Sequence, residues 1–328
     1  MVEASLNEME EAFEHRALLD RDLLRSLQKR EDFPSIVHLT LQLGAFVLMI
    51  GLVVYAAPIP SLAFIAALAL GAIWTTLFAP FHECAHQTAF LTRRFNTVGA
   101  WLTGIPFGMA PTVYREFHFE HHRYTHDPDK DPELAGPGAF ADWPRAPLAW
   151  ATMIAGLWLI WLKVRLMFRL ALSSSAHAKL PSPFNDPDLR STFIRESRIV
   201  ASAWGALAIL ALIGVRGAGW VVFALVPCHV FQAIWLTTEH KGLPHGGTII
   251  SRTRTVYTSA FVQWWLWNMN YHTEHHAWPA IPWHALPAVH QRVAANLEHE
   301  SWGYLHLQMD VLHQNQMPDG GRPVAAEP

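Results

Sequence analysis

Tyr114–Pro132 contains His118-Phe119-Glu120-His121-His122 and then His126-Asp127-Pro128. Histidines at i, i+3 and i+4 share one face of a helix, so three imidazoles can converge on one point. That donor set suits a divalent transition metal, and zinc, iron and copper all accept it. The spacing returns at His272-Thr273-Glu274-His275-His276, and a looser i, i+4 pair stands upstream in His82-Glu83-Cys84-Ala85-His86. These eight histidines exceed the four ligands of a structural zinc, so the count points to a two-metal centre.

His240, in Thr238-Glu239-His240-Lys241, is a candidate ninth ligand, and His126 reads as a supporting group beside the second box. The remaining histidines, His15, His229, His245 and His290 among them, read as ordinary core or surface residues. A metal-bound imidazole needs an acceptor for its other ring nitrogen, which also fixes the tautomer. Glu120 and Glu274 inside the boxes and Asp127 after the second are the first candidates, with Glu83, Glu116, Glu239, Asp129 and Asp131 also in reach. His82-Glu83-Cys84-Ala85-His86 is also literally H-E-x-x-H, the zinc-peptidase pattern. A peptidase reading leaves both HxxHH boxes unexplained. Cys84 points off the face of His82 and His86 and reads as a small apolar residue.

The elements that must carry these boxes are apolar. The chain has 328 residues, is 51% hydrophobic and only 16% charged. Its net charge of −3 gives no nucleic-acid footprint, and its two cysteines make no disulfide framework. Ile36–Ala57 holds no Asp, Glu, Lys or Arg, and 22 residues of helix reach roughly 33 Å, enough for a bilayer core. Pro58-Ile59-Pro60 turns the chain into a second uncharged run, Ser61–Ala79, and the first box follows at once. Ile199–Val215 and Trp220–Thr238 form another pair, broken by Arg216-Gly217-Ala218-Gly219.

Asn96–Ala110 is short and interrupted by Gly and Pro, as in a re-entrant or interfacial segment. Boxes one and three share a face only if an even number of spans separates them, so Leu148–Leu162 is expected to be interfacial. With four spans and both termini inside, Arg216 alone among 24 Lys and Arg residues lies outside, which orients the metal site to the cytosol. The expected fold is therefore all-α and integral to the membrane. It has four transmembrane helices at about 36–57, 61–79, 199–215 and 220–238, interfacial helices, and a cytosolic cap holding a di-metal site. Residues 1–35 read as a polar helix that packs on the body or lies at the membrane surface. Residues 36–313 form the membrane domain, and 314–328 a disordered tail.

These boxes, HxxxH, HxxHH and HxxHH in this order, resemble the membrane fatty-acid desaturase superfamily over roughly Ile36 to Leu297. The Ile281-Pro282-Trp283-His284-Ala285-Leu286-Pro287 run after the third box belongs to the likeness. The resemblance implies a non-haem di-iron centre on His82, His86, His118, His121, His122, His272, His275 and His276, with His240 as the candidate ninth ligand, a centre that activates O2 and removes hydrogen from unactivated C–H bonds. The substrate would be a lipid or another apolar chain. Desaturation is the first expectation, and a hydroxylase or carotenoid ketolase shares the boxes. The chain has no G-x-G-x-x-G and no P-loop, so its electrons must come from outside, from a ferredoxin or cytochrome b5 type donor with its reductase. Arg115, Arg123, Lys163, Arg165 and Arg169 could receive an acidic donor or simply anchor the inner face. Trp264, Trp265, Trp267, Trp278 and Trp283 read as an interfacial belt and packing around the third box, or as a channel wall. A membrane metal transporter is the non-enzymatic alternative, with His229 in the fourth span the intramembrane histidine that would test it.

Overall fold

The computed structural model describes residues 14–134, 142–173 and 182–316. The helices are, in chain order, α1 (Arg21–Leu27), α2 (Phe33–Ala56), α3 (Pro60–Thr76), α4 (Phe78–His86), α5 (Arg93–Phe107), α6 (Pro111–Tyr124), α7 (Pro147–Ile154), α8 (Leu157–Ala171), α9 (Arg190–Leu212), α10 (Ala218–Phe223), α11 (Leu225–His240), α12 (Ala260–Trp265), α13 (His272–Ala277), α14 (Leu286–Val293) and α15 (Tyr304–Gln316). Two short strands, β1 (Thr255–Tyr257) and β2 (Glu300–Trp302), pair in parallel. By contacts the chain divides into two units, one of residues 31–118 and 152–233, the other of residues 1–30, 119–151 and 234–328.

The first unit is the apolar one. Helices α2 and α3 each begin with a proline in the first turn, where its missing N–H removes no helical bond. They pair as a hairpin whose core holds Val53, Ala63, Ala67, Leu70 and Leu77, all fully buried. Ala63, Ala66, Ala67, Leu70, Gly71 and Trp74 make one buried stripe on α3 at helical spacing. Small residues there let neighbouring backbones approach, as between membrane helices. A Cβ on Gly71 would stand 2.6 Å from Pro227 Cγ and 2.8 Å from the Cys228 backbone nitrogen. Gly99 and Gly104 do the same for α5 against α4, where a Cβ on Gly104 would meet the Phe81 ring at 2.6 Å. Helix α4, which carries His82 and His86, is thereby held close against α5.

Three helices are long and apolar enough to cross a membrane: Phe33–Ala56, Pro60–His86 and Ala218–His240. They cover three of the four expected spans. The fourth, 199–215, falls in α9, which begins at Arg190 and carries Arg195, Glu196 and Arg198 in its first half. Residues 199–212 alone make roughly 21 Å of helix, short of a bilayer core. The charged half is used locally: Glu196 accepts from Thr112 N at 2.8 Å and Thr112 Oγ1 at 2.9 Å, capping the start of α6. The segment expected to be interfacial is the pair α7 and α8, bent by 50° at Gly156, and it passes as a span only if both halves count together. Gly156 sits at φ 66, with a Cβ there only 2.1 Å from the His229 carbonyl oxygen. Asn96–Ala110 becomes α5, too short to span, in line with expectation.

The second unit is built from short elements around a core of Leu19, Ile249, Ile250, Trp278, Ile281, Leu286, Val289 and Val293. Leu18, Leu23, Leu24 and Leu27 pack against it, and the His15 ring meets the Ala277 carbonyl oxygen through Nε2 at 2.9 Å. Of the two roles expected for the polar N-terminal stretch, its described part takes packing on the body. Its first residues lie outside the described set, as does the tail beyond Gln316; residues 314–316 are still helical.

Gly71→Val should lower the thermal unfolding midpoint, by the roughly 1–3 kcal/mol of an overpacked core site. Gly51→Ala, where nothing lies within 4 Å of the added carbon, should leave it unchanged or higher. Unfolding in detergent followed by circular dichroism measures both.

Candidate metal centre

In the first unit α4 and the start of α6 bring three rings together. His82 Nε2 lies 2.5 Å from His118 Nε2, and His118 Nε2 lies 2.8 Å from His86 Nε2. The His82 and His118 rings are edge-to-face at 4.2 Å. Phe78 stacks on His82 and Tyr114 on His118, fixing both ring planes. Glu83, the would-be general base of an H-E-x-x-H peptidase, is fully buried with Oε2 accepting from Thr88 Oγ1 at 2.7 Å. Cys84 packs on Gly99 and joins no metal-ligating group among the described residues.

The second unit gathers histidines from α6, α11 and α13. The ligand atoms of His121, His240 and His276 lie within 4.8 Å of one another, and all three residues are buried. His272 Nε2 lies 2.8 Å from His240 Nε2, and His275 Nε2 lies 3.2 Å from His122 Nε2. Three of the outer nitrogens have hydrogen-bond acceptors. His121 Nδ1 donates to both Asp131 oxygens at 3.0 Å. His240 Nδ1 donates to the Arg252 carbonyl at 3.1 Å. Thr125 Oγ1 spends its proton on the His121 carbonyl at 2.9 Å and so accepts from His276 Nδ1 at 3.2 Å. His272 Nδ1 lies 3.2 Å from Glu239 Oε1, which Trp235 Nε1 holds at 2.6 Å.

In each neutral ring whose proton sits on Nδ1, Nε2 is a lone pair turned inward, and His276 Nε2 is buried with no hydrogen bond. Buried, convergent and unsatisfied imidazole nitrogens are the donor set of a transition-metal site, so these residues fit iron, zinc or copper.

The electrostatics follow the same layout. Burial pulls the His121 pKa down, but Asp131 and Glu133 more than reverse it, raising it to about 9. Burial would raise the Asp131 carboxyl, while the adjacent His121 holds it below the usual range. His272 and His276 are pushed well down by burial, then by neighbouring histidines.

Of the expected supporting residues, Glu120 turns outward to Arg123 at 2.9 Å, and Asp127 caps the turn at Asp129 and pairs with Lys130 at 3.3 Å. Neither meets a box ring among these contacts. Glu274 reaches away from its own box, accepting from Thr255 Oγ1 and His290 Nδ1 at 2.5 Å each, and so ties α13 to β1 and α14. His126 packs close to the cluster, 6.4 Å from His240 between ring centroids. Asp131 and Glu239, the more distant candidates, make the contacts. Thr125, Glu133, Arg252 and His290 were not singled out. Arg252 contributes a backbone carbonyl, which leaves no side-chain signal in a sequence. Of the tryptophans, Trp267 and Trp278 are buried, whereas Trp264 is exposed.

Residues 59–308 match the profile of the fatty acid desaturase family. The chain belongs to that family. Its curated relatives include the human sphingolipid delta(4)-desaturase/C4-monooxygenase DES2, 23% identical over 246 residues, covering 71% of this chain and 67% of the relative. The sphingolipid delta(4)-desaturase DES1 of Drosophila melanogaster is 26% identical over 248 residues, with the same coverage. This desaturase-family chain is thus an oxidoreductase and a membrane protein, and membership implies a lipid substrate and an electron donor.

Asp131→Asn should weaken metal binding about 10–100-fold, the usual effect of losing a ligand's outer partner. Asp127→Asn should change it little, and competition titration against a chelator reads both. Without metal, His121 is protonated at neutral pH, so binding must displace that proton. Affinity should therefore rise with pH up to about 9 and weaken as pH falls from about 8 to 6.

Proposed function

We propose that the protein is an O2-dependent di-iron desaturase that inserts a double bond into the long apolar chain of a lipid. The observation that carries this reading is the arrangement of outer nitrogens in the second unit. Asp131, the Arg252 carbonyl and Thr125 hold His121, His240 and His276 with Nε2 inward, in a chain of the desaturase family. In this proposal His82, His86, His118, His121, His122, His240, His272, His275 and His276 hold two iron ions. Iron bound there supplies the activation of O2. The chain's own residues fix the rings, exclude bulk water from the cluster, and keep the Nδ1 protons on their acceptors.

The reaction balances without a built-in redox cofactor. Two hydrogens leave the lipid chain, two electrons come from an external iron protein of ferredoxin or cytochrome b5 type, two protons come from solvent, and O2 leaves as two waters. The proposed topology has four spans. Both termini and the metal site face the cytosol, at the inner membrane if the cell is bacterial. Hydroxylation is the second reading, because relatives such as human DES2 carry both desaturase and C4-monooxygenase in their names. Those names also make a long-chain sphingoid lipid the first substrate to try.

Purified protein should contain about two irons per chain, and O2-dependent turnover of a long-chain lipid should yield a product lighter by two hydrogens. A product heavier by one oxygen would select the hydroxylase. His122→Ala should lose iron and activity together; retention of both would refute the assignment of that box. About one zinc, with no response to O2, would remove the desaturase reading.

A further inference from the structure

His126 combines three unfavourable features. It is buried, it is held at φ 61 in the left-handed region, and its Nε2 makes no hydrogen bond. Each of these features opposes folding, and such costs collect where function demands them. The neighbours of His126 are informative. The exposed ring of His245 lies flat on it, with centroids 4.7 Å apart and planes 15° apart. The ring of His240 also lies nearly parallel to it, with centroids 6.4 Å apart and planes 23° apart. A hydrogen-bonded path runs alongside. His245 Nδ1 donates to the His126 carbonyl at 3.0 Å, the His126 N–H donates to Asp131 Oδ2 at 2.7 Å, and Asp131 accepts from His121 Nδ1. The His126 ring is itself steadied by donation from Nδ1 to the Pro244 carbonyl at 2.9 Å. Two routes thus lead from one exposed residue to two of the buried rings, one through near-parallel rings and one through hydrogen bonds.

We propose that His245 is the point where electrons from a one-electron iron protein enter, and that His126 couples it to His240 and His121. The inference rests on the di-iron reading above. Each transfer oxidises the donor's iron by one electron and reduces the buried site by one, and two transfers serve one turnover. Imidazole need not be oxidised on the way. Stacked rings and hydrogen bonds replace through-space gaps, across which electronic coupling decays most steeply.

The test compares two reductants on iron-loaded full-length protein in detergent, with stopped-flow optics and iron analysis. One is dithionite with a viologen mediator, small enough to reach the site by other paths. The other is reduced ferredoxin or cytochrome b5, whichever reduces the wild type. His245→Ala should keep its iron and its viologen-driven rate while the protein-driven rate at saturating donor falls about tenfold, a barrier change of about 1.4 kcal/mol. His245→Phe, which retains a stacking ring, should recover part of that loss. Donor affinity, titrated separately, should also weaken in His245→Ala. An unchanged protein-driven rate in His245→Ala would overturn the proposal, as would an equal fall with both reductants, which marks a packing defect. A wild type reduced by viologen but by neither protein would overturn it too, since the route would have no donor. Failure of the di-iron reading would appear separately, as wild-type protein without iron.

Discussion

The centre depends on what happens to the second nitrogen of each imidazole. A neutral ring has one proton and two nitrogens, so a ring can offer a lone pair inward only if its other nitrogen keeps the proton on an outer acceptor. Here a carboxylate, a backbone carbonyl and a hydroxyl perform that task for His121, His240 and His276. The acceptors come from different segments. The Asp131 loop, the stretch at Arg252 and the last turn of α6 must all be in place before one ligand set exists. The stretch 252–255 has the widest reach: Arg252 Nη1 donates to the Thr125 carbonyl, Arg254 Nη1 to the Thr238 carbonyl at the end of α11, and Thr255 to Glu274 of α13. A guanidinium at the end of α11 also meets the negative end of the helix dipole.

The apolar unit answers a different constraint. Its boxes sit on helices, and a helix can aim two rings at one point only if it is itself fixed about its axis. Fixation comes from close backbone approach at Gly71, Gly99 and Gly104, and from Phe78, Phe81 and Tyr114 packed between α4 and α6. The Glu196 carboxylate at the start of α6 adds a charge-assisted anchor one turn and a half before His118.

The histidine boxes and the α2–α3 hairpin were legible in the sequence because each rests on local periodicity: i, i+3, i+4 for the rings, and uncharged length for the helices. What was not legible depends on contacts distant along the chain or on backbone. Glu120 and Asp127 lie next to the box in sequence, yet helix geometry turns Glu120 to Arg123, and Asp127 is spent on its own turn. Asp131, five residues after His126, folds back because the chain reverses at that residue's positive φ. His290 looked ordinary, since its partner Glu274 is sixteen residues away on another helix. The expected span at 199–215 was read from apolar length alone, and the charges that start α9 early are recruited by α6.

The choice between an enzyme and a conduit for metal ions turns on His229, a box-independent histidine of the apolar helix α11. A path for a divalent cation needs lone pairs facing it. His229 Nδ1 donates to the Leu225 carbonyl at 2.7 Å, so its Nε2 is the acceptor, and Lys163 Nζ occupies it at 3.2 Å. The same amine donates to Gln232 Oε1 at 2.9 Å and to the Phe107 carbonyl at 3.3 Å, and lies 3.3 Å above the Phe107 ring. A lysine there repels a metal ion and uses the only ring lone pair. The cluster instead ties α8 and α11 to Phe107 at the end of α5, four residues before α6 begins. Polarity inside the apolar unit therefore serves to hold the box-bearing helix still, which is what a fixed catalytic centre requires and a moving ion path does not.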